Sequence, residues 1–455
     1  MDVPADRLPN DVLMGMGIDE VVVDDGAVSV VTPGVTVNLG RDGILRARQR
    51  IGAQRDLLSL KLDPHFAPWR IGESTPFCCV IEGNGLAITV QGDSVLIFAP
   101  LQNMKLEFEG HFKPEYAHEV RGNRLLLDAM GGCGFFGIPP RATTFDETAI
   151  PWKVNCHIAR WDELWVSVCP PRAEDPDALR ESISHDILYY LMKDEEMTER
   201  YPSADSIREL ARYCQILALH EEIWKDAPGW VEDPPGGAYE HPKPWETDCH
   251  IPFDGDAFTR MREDAHRLGV KVIPYCSPYY CSAPDVHREM ERVLEEYRMD
   301  GLYFDGWAGS RDDFRPAYAM IRRARKLLGH RTMYLHSSSE PFDSVSVYPP
   351  FVFAYADHCL RGEAGRGELD LDTFLRYTVS GHQISNAVGT WCHYGSMGLG
   401  GYHFVVPSSA DIDAALRNHV CLWRQSRMWR RSPEELARFD QEYYGGLARS
   451  LEARE

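Results

Sequence analysis

"MDGLYFDGW", residues 299–307, decides how the fold is read. Gly301 to Phe304 is short, apolar and aromatic, as a strand buried on both faces is. It ends on a carboxylate, Asp305, with Gly306 and the large ring of Trp307 behind it. Alternate side chains of a strand face opposite ways, so Leu302 and Phe304 share one side and Tyr303, Asp305 and Trp307 the other. In a parallel barrel the first side meets helices and the second meets the axis and its mouth. Asp305 therefore stands at the top of its strand, and Asp300, at the bottom, reads as a helix-to-strand turn residue.

The surrounding sequence repeats this unit. From about Trp161, apolar runs alternate with amphipathic helical stretches, the signature of β/α units. The candidate strands, in order, are "LWVSVCP", "QILALHE", "VKVIPYCS", "GLYFDGW", "TMYLHSS", "FVFAYAD", "ISNAVGTW" and a weak eighth, "GYHFVV" at 401–406. Helices are predicted at 204–213, 257–268, 283–298 and 315–328. In the third of these, Val286, Met290, Val293, Leu294 and Tyr297 share one face. The expected fold class is α/β: a (β/α)8 TIM-like barrel over 156–430, with a C-terminal helical segment at 431–455. A doubly wound open sheet is the alternative, and prolines 341, 349 and 350 leave little room for a full helix after the fifth strand. No Gly-x-Gly-x-x-Gly follows a strand in this part of the chain, which argues against a dinucleotide site.

Residues 1–155 read as all-β. "EVVVDDGAVSVVTPGVTVNLG" and "PFCCVIEGNGLAITVQGDSVLIFAP" are short β-branched runs broken by Asp-Gly, Pro-Gly and Gly-Asn-Gly turns. An N-terminal β-sandwich is expected. "MGGCGFFGIPP", 130–140, reads as an interdomain turn, and the Pro-, Gly- and aromatic-rich stretch at 226–250 as a loop covering a substrate.

Composition narrows the partners. A formal net charge of −21 repels a phosphate backbone and an anionic bilayer, so neither nucleic acid nor a membrane is expected. No run of roughly eighteen apolar residues occurs. "MDVPADRLPNDVLMG" lacks the basic and apolar regions of a secretory signal. The 12 cysteines form no CxxC pair, which fits reduced, buried thiols and a cytoplasmic location. Barrels of this size commonly pair, so a homo-oligomer is compatible with the sequence. No cofactor is implied.

The chemistry collects at the predicted strand ends. "FVFAYADHCLRGE" places Asp357 at the top of the sixth strand, with Glu363 in the loop beyond. Two carboxylates facing across a barrel mouth are what glycoside hydrolysis requires, one as nucleophile or base and one as acid. Around them the other strand ends offer flat rings and hydroxyl-binding groups suited to a sugar: His220, Glu222 and Trp224; Tyr279 and Tyr280; Tyr303 and Trp307; His336; His358; Trp391 and His393.

A β-sandwich leading into a barrel whose fourth strand reads "DGLYFDGW" resembles the retaining α-glycosidase superfamily of α-galactosidases, α-N-acetylgalactosaminidases and related α-glucosidases. The resemblance implies hydrolysis of an α-linked oligosaccharide or glycoside, with Asp305 as nucleophile and Asp357 as acid/base. The lysine-x-aspartate form of the α-galactosidases is absent, since Tyr303 stands before Phe304-Asp305. Glu363 is a rival acid, and Glu340, after the fifth strand, is held in reserve because related barrels draw their acid there. Two other classes remain open. A carbohydrate-binding protein would keep the aromatics without turnover. A metal-dependent hydrolase would need His220, His336 and His358 together, although no His-x-His occurs. A Schiff-base aldolase is disfavoured, because no lysine follows Lys326.

Overall fold

The computed structural model describes residues 14–141, 143–147, 150–186, 201–220, 223–224, 250–276, 285–305, 313–336, 349–361, 368–391, 394–395, 403–404, 406–425 and 432–452. The β-branched runs near the N-terminus pair as hairpins. Glu20–Asp24 meets Ala27–Val31 across Asp25 and Gly26, which take φ of 42° and 83°, as a two-residue turn between twisted strands demands. Further hairpins build two eight-stranded antiparallel sheets, stacked face to face. Val37, Leu60, Ile88, Phe108, Phe135 and Trp152 fill the space between them.

Two readings of this region are corrected. "LWVSVCP" is a strand, Glu163–Cys169, but it lies in the second sandwich sheet between Val95–Pro100 and Gly131–Ile138. It imitates a parallel strand because both its faces are covered. Val166 and Val168 point into the sandwich, while Trp165 meets Tyr318 and Phe351 of the next layer. The antiparallel layer thus runs on past residue 155. The glycine-rich 130–140 is no turn either. Gly131–Ile138 is an eight-residue strand, and Gly132 is glycine because a Cβ there would stand 2.0 Å from the Leu126 carbonyl oxygen.

Beyond the sandwich lies a nearly closed eight-strand parallel barrel. Its order is Ile183–Asp186, Ile216–Leu219, Lys271–Cys276, Gly301–Asp305, Thr332–His336, His358–Leu360, Val388–Trp391, and a last segment split around Trp423. Cys421–Leu422 pairs with the seventh strand and Arg424–Gln425 with the first, so one short segment joins the two edges of the sheet. Helices Ala204–Leu210, Gly255–Arg267, Val286–Glu296 and Arg315–Leu328 follow the first four strands in turn. Pro433–Phe439 and Gly445–Glu452 supply the C-terminal helices.

Three barrel strands differ from expectation. The first is "ISHD", too short and polar to be recognised. "FVFAYAD" is not a strand: Pro350–Phe353 is a helical turn with proline at its start, and the sixth strand begins only at His358. Residues 351–356 are wholly buried between sandwich and barrel, and an apolar run without period cannot tell helix from strand. His403–Phe404, inside the expected eighth strand, instead pairs with Tyr394–Gly395 in a separate ribbon.

The second sandwich sheet seats directly on the barrel helices. Phe136 packs edge-on against Phe314 and Phe351, at centroid distances of 6.0 and 5.2 Å. Beside these rings is a buried polar knot. Asp93 Oδ2 accepts hydrogen bonds from the hydroxyls of Tyr318 at 2.5 Å and Tyr355 at 2.9 Å. Burial pushes the Asp93 carboxyl above its usual range against the opposing pull of Arg322 and the two hydroxyls. Tyr318→Phe removes one donor from this fully buried acid. A loss of about 1–3 kcal/mol of stability is expected, read as a lower urea midpoint; an unchanged midpoint would contradict it.

The described cysteines are all buried and free of disulfides. Among the described residues, no helix is long and apolar enough to cross a membrane.

Candidate active site

The register of the parallel strands assembles the site. Tyr275, Tyr303 and Tyr334 are partners on the third, fourth and fifth strands, so their rings meet inside the barrel. Tyr303 lies 5.6 Å from Tyr275, edge-on, and stacks on Tyr334 at 5.0 Å. Trp423, from the closing segment, donates its indole N–H to the Tyr334 hydroxyl at 2.8 Å. These rings plug the barrel and form a floor beneath its mouth.

Two residues above Tyr303 and Tyr334 stand Asp305 and His336, again register partners and hence neighbours. Both oxygens of Asp305 are engaged: the Tyr275 hydroxyl donates to Oδ2 at 3.1 Å, and His336 Nδ1 lies 2.9 Å from Oδ1. The same imidazole nitrogen is 2.9 Å from the Tyr303 hydroxyl. With its proton on Nδ1, His336 is tied to the carboxylate. His220, after the second strand, places its ring 5.2 Å from Tyr275 and 6.3 Å from Tyr303. The Asp305 side chain keeps 15% of its surface exposed and His336 10%. The carboxylate is thus aimed and fixed, yet reachable from the mouth.

Other expected site residues lie elsewhere, with physical reasons. Asp357 precedes the sixth strand, at the floor end of the barrel. Its Oδ2 accepts the Met333 N–H at 2.7 Å and a bond from Arg325 Nη1 at 2.9 Å. Burial alone would raise its carboxyl; Arg325 and the Met333 N–H outweigh that and hold it below the usual carboxylate range. Since Asp305 is level with His336 and His336 with Leu360, Asp357 sits three residues, roughly 10 Å, below Asp305. It is no acid for a bond cleaved at the mouth. Asp300 performs the same task one pair earlier, accepting the Val272 N–H at 2.8 Å.

His358, fully buried, also starts the sixth strand rather than facing the mouth, and so does not join His220 and His336. Trp224 is 1% exposed: it donates to the Tyr275 carbonyl at 3.0 Å and packs on Phe258 and Tyr297, which makes it wall packing rather than a sugar platform. Trp391 sits in a cluster with Phe374, Ile412 and Phe439 behind the seventh strand. Tyr303, 1% exposed, supports His336 from below instead of lining a cleft. Glu222, Tyr279, Tyr280, Trp307, Glu340, Glu363 and His393 lie outside the described residues, as does nearly all of the loop expected at 226–250.

Tyr275 escaped the sequence reading. The signal was a repeated spacing: Tyr275 to Ser277, Tyr303 to Asp305 and Tyr334 to His336 each put a tyrosine two residues before a polar group. Asp186, the last residue of the first barrel strand, was missed with its strand.

No family model matches the chain, and no curated protein matches it by sequence. Solved structures similar to it include glycoside hydrolases. A cycloalternan-forming enzyme from Listeria monocytogenes, in complex with a pentasaccharide substrate, is 9% identical with a TM-score of 0.43, over 96% of this chain and 54% of that one. The chain thus spans about half the length of that enzyme. An α-galactosidase from Geobacillus stearothermophilus, in complex with stachyose, is 10% identical with a TM-score of 0.43, over 96% and 86%. An α-N-acetylgalactosaminidase from Bifidobacterium bifidum is 10% identical with a TM-score of 0.39, over 93% of each chain.

Proposed function

We propose that the chain is a glycoside hydrolase built on a (β/α)8 barrel, cleaving an α-linked oligosaccharide or glycoside with retention. One observation carries the reading: Asp305 ends the fourth strand with both carboxylate oxygens held, by Tyr275 and His336, over a closed aromatic floor. Asp305 attacks the anomeric carbon as the glycosidic C–O bond breaks, giving a covalent glycosyl-enzyme. An acid protonates the departing oxygen. It then takes a proton from the water that attacks the anomeric carbon and releases Asp305. Glu363 is the acid we assign, because it follows the sixth strand, His358–Leu360, by three residues in sequence. His220 and His336 Nε2 would hold hydroxyls of the sugar, and no cofactor takes part.

The position of Asp357 favours a second reading, sugar binding without turnover, since it removes one of the two acids expected at the mouth. A panel of nitrophenyl α- and β-glycosides separates the two. Turnover of an α-glycoside supports hydrolysis. A thermal shift with a free sugar and no turnover on any glycoside supports binding alone.

Within the hydrolase reading, Tyr275→Phe deletes the hydrogen bond to Oδ2. A hydrogen bond to a charged group contributes about 1.5–3 kcal/mol, so kcat/KM is expected to fall about 10- to 150-fold. An unchanged kcat/KM would show that this hydroxyl does not position the nucleophile.

A further inference from the structure

At the opposite end of the barrel from Asp305, three segments that never meet in sequence bring Glu174, His382 and His419 together. Glu174 lies in the connection from the sandwich to the first barrel strand. His382 lies ahead of the seventh strand, and His419 two residues before the eighth. One ligand atom from each falls within 4.8 Å of the others.

The three side chains converge on one point. His382 Nδ1 is 3.0 Å from Glu174 Oε1, yet this buried nitrogen makes no hydrogen bond among the described residues. The His382 and His419 rings are tilted at 47° with centroids 4.9 Å apart, too oblique for stacking. Donors bound about 2.0–2.1 Å from one tetrahedral ion stand roughly 3.3 Å from each other, close to the 3.0 Å between His382 Nδ1 and Glu174 Oε1.

His419 holds its place at a conformational cost. It follows Asn418, which closes helix Ser409–Arg417, and takes φ of 59°, the left-handed position that glycine usually fills after a helix. A non-glycine residue there is uncommon, and this one turns its imidazole toward His382. Around the cluster the junction is firmly built. The buried Arg172 side chain donates to the carbonyls of Ala354 and Ala356 at 2.7 and 2.9 Å, and Asn386 donates to the Arg172 carbonyl at 2.6 Å. Glu174 also borders a cavity of about 410 Å³.

We propose that Glu174, His382 and His419 bind a divalent transition cation of the zinc class, which clasps the barrel where its first, seventh and eighth strands meet. Two imidazoles and one carboxylate suit such an ion, whereas calcium and magnesium favour all-oxygen shells. The site is distinct from the proposed active site and supplies stability, because an ion that binds only the folded chain shifts the unfolding equilibrium by mass action.

The test uses the full chain, stripped with chelator and titrated with zinc chloride by calorimetry and thermal unfolding. Wild type should bind one equivalent and gain several degrees in melting temperature. His419→Gly, which takes the same φ without strain, and Glu174→Gln should each bind at least tenfold more weakly and lose the thermal gain. Cobalt(II) should give a spectrum without a thiolate charge-transfer band, which sets the site apart from the cysteines. Absence of zinc binding would show an ordinary histidine–glutamate ion pair and overturn the proposal. So would binding that survives both substitutions, or a thiolate signature.

Discussion

Asp305→Asn is expected to lower turnover of the best α-glycoside by at least about 10³-fold, a loss of roughly 4 kcal/mol of transition-state stabilisation. The amide has the shape of the carboxylate and still accepts the Tyr275 hydroxyl, so the barrel should melt as the wild type does. What it lacks is the anionic oxygen that, in the proposed mechanism, forms the bond to the anomeric carbon. The measurement is steady-state hydrolysis beside a circular-dichroism melt of the same preparation. Wild-type kcat in a normally folded variant would make Asp305 a structural carboxylate and end the proposed mechanism. If the loss is confined to KM instead, Asp305 binds sugar without attacking it.

Asp357→Asn should produce the opposite pattern: a large loss of stability with turnover of the folded protein intact. Arg325 is 1% exposed and would keep its charge with no carboxylate beside it, although its bond to the Tyr355 carbonyl would remain. Breaking a buried pair from one side costs about 3–5 kcal/mol, readable in urea unfolding at pH 7. The pH dependence has a definite sign. The folded Asp357 carboxyl lies below its unfolded value of about 3.9, so its contribution is complete above that value and fades as pH falls through the folded one. The stability gap between wild type and variant should therefore be full at neutral pH and narrow in acid. A constant gap down to strong acid would show that the charge is not what matters. Loss of turnover in a stable variant would restore Asp357 as a candidate acid.

The contrast between these two aspartates shows how much of the site the sequence made legible. Each follows an apolar aromatic run and falls on the same parity. For Asp305 the run is a strand, Gly301 begins it against the neighbouring backbone, and Tyr303 faces inward. For Asp357 the run is a helical turn squeezed on all sides, and complete burial erases the periodicity that separates helix from strand. The doubled proline at 349–350, favourable at the start of a helix, was the cue that pointed the other way. Trp165 misled for a related reason: a sheet covered on both faces by tertiary packing reads like a parallel one. Helix Arg315–Leu328, with a strong apolar face and glycine after it, matched the predicted limits because its signals are local. The first and eighth barrel strands could not be seen. They are two to four residues long and owe their extended form to partners far away in sequence.

That distance imposes an order on the birth of the molecule. Ser184 donates its hydroxyl to the Arg424 carbonyl across 240 positions of sequence. A chain emerging from the ribosome can complete the sandwich early, since its hairpins are local. The sheet that follows must wait with its first and seventh strands bare until residues 421–425 arrive. Through that interval two rows of unpaired backbone groups invite pairing with other chains. Residues 421–425 therefore close the sheet, and a chain halted before them would carry an adhesive open sheet.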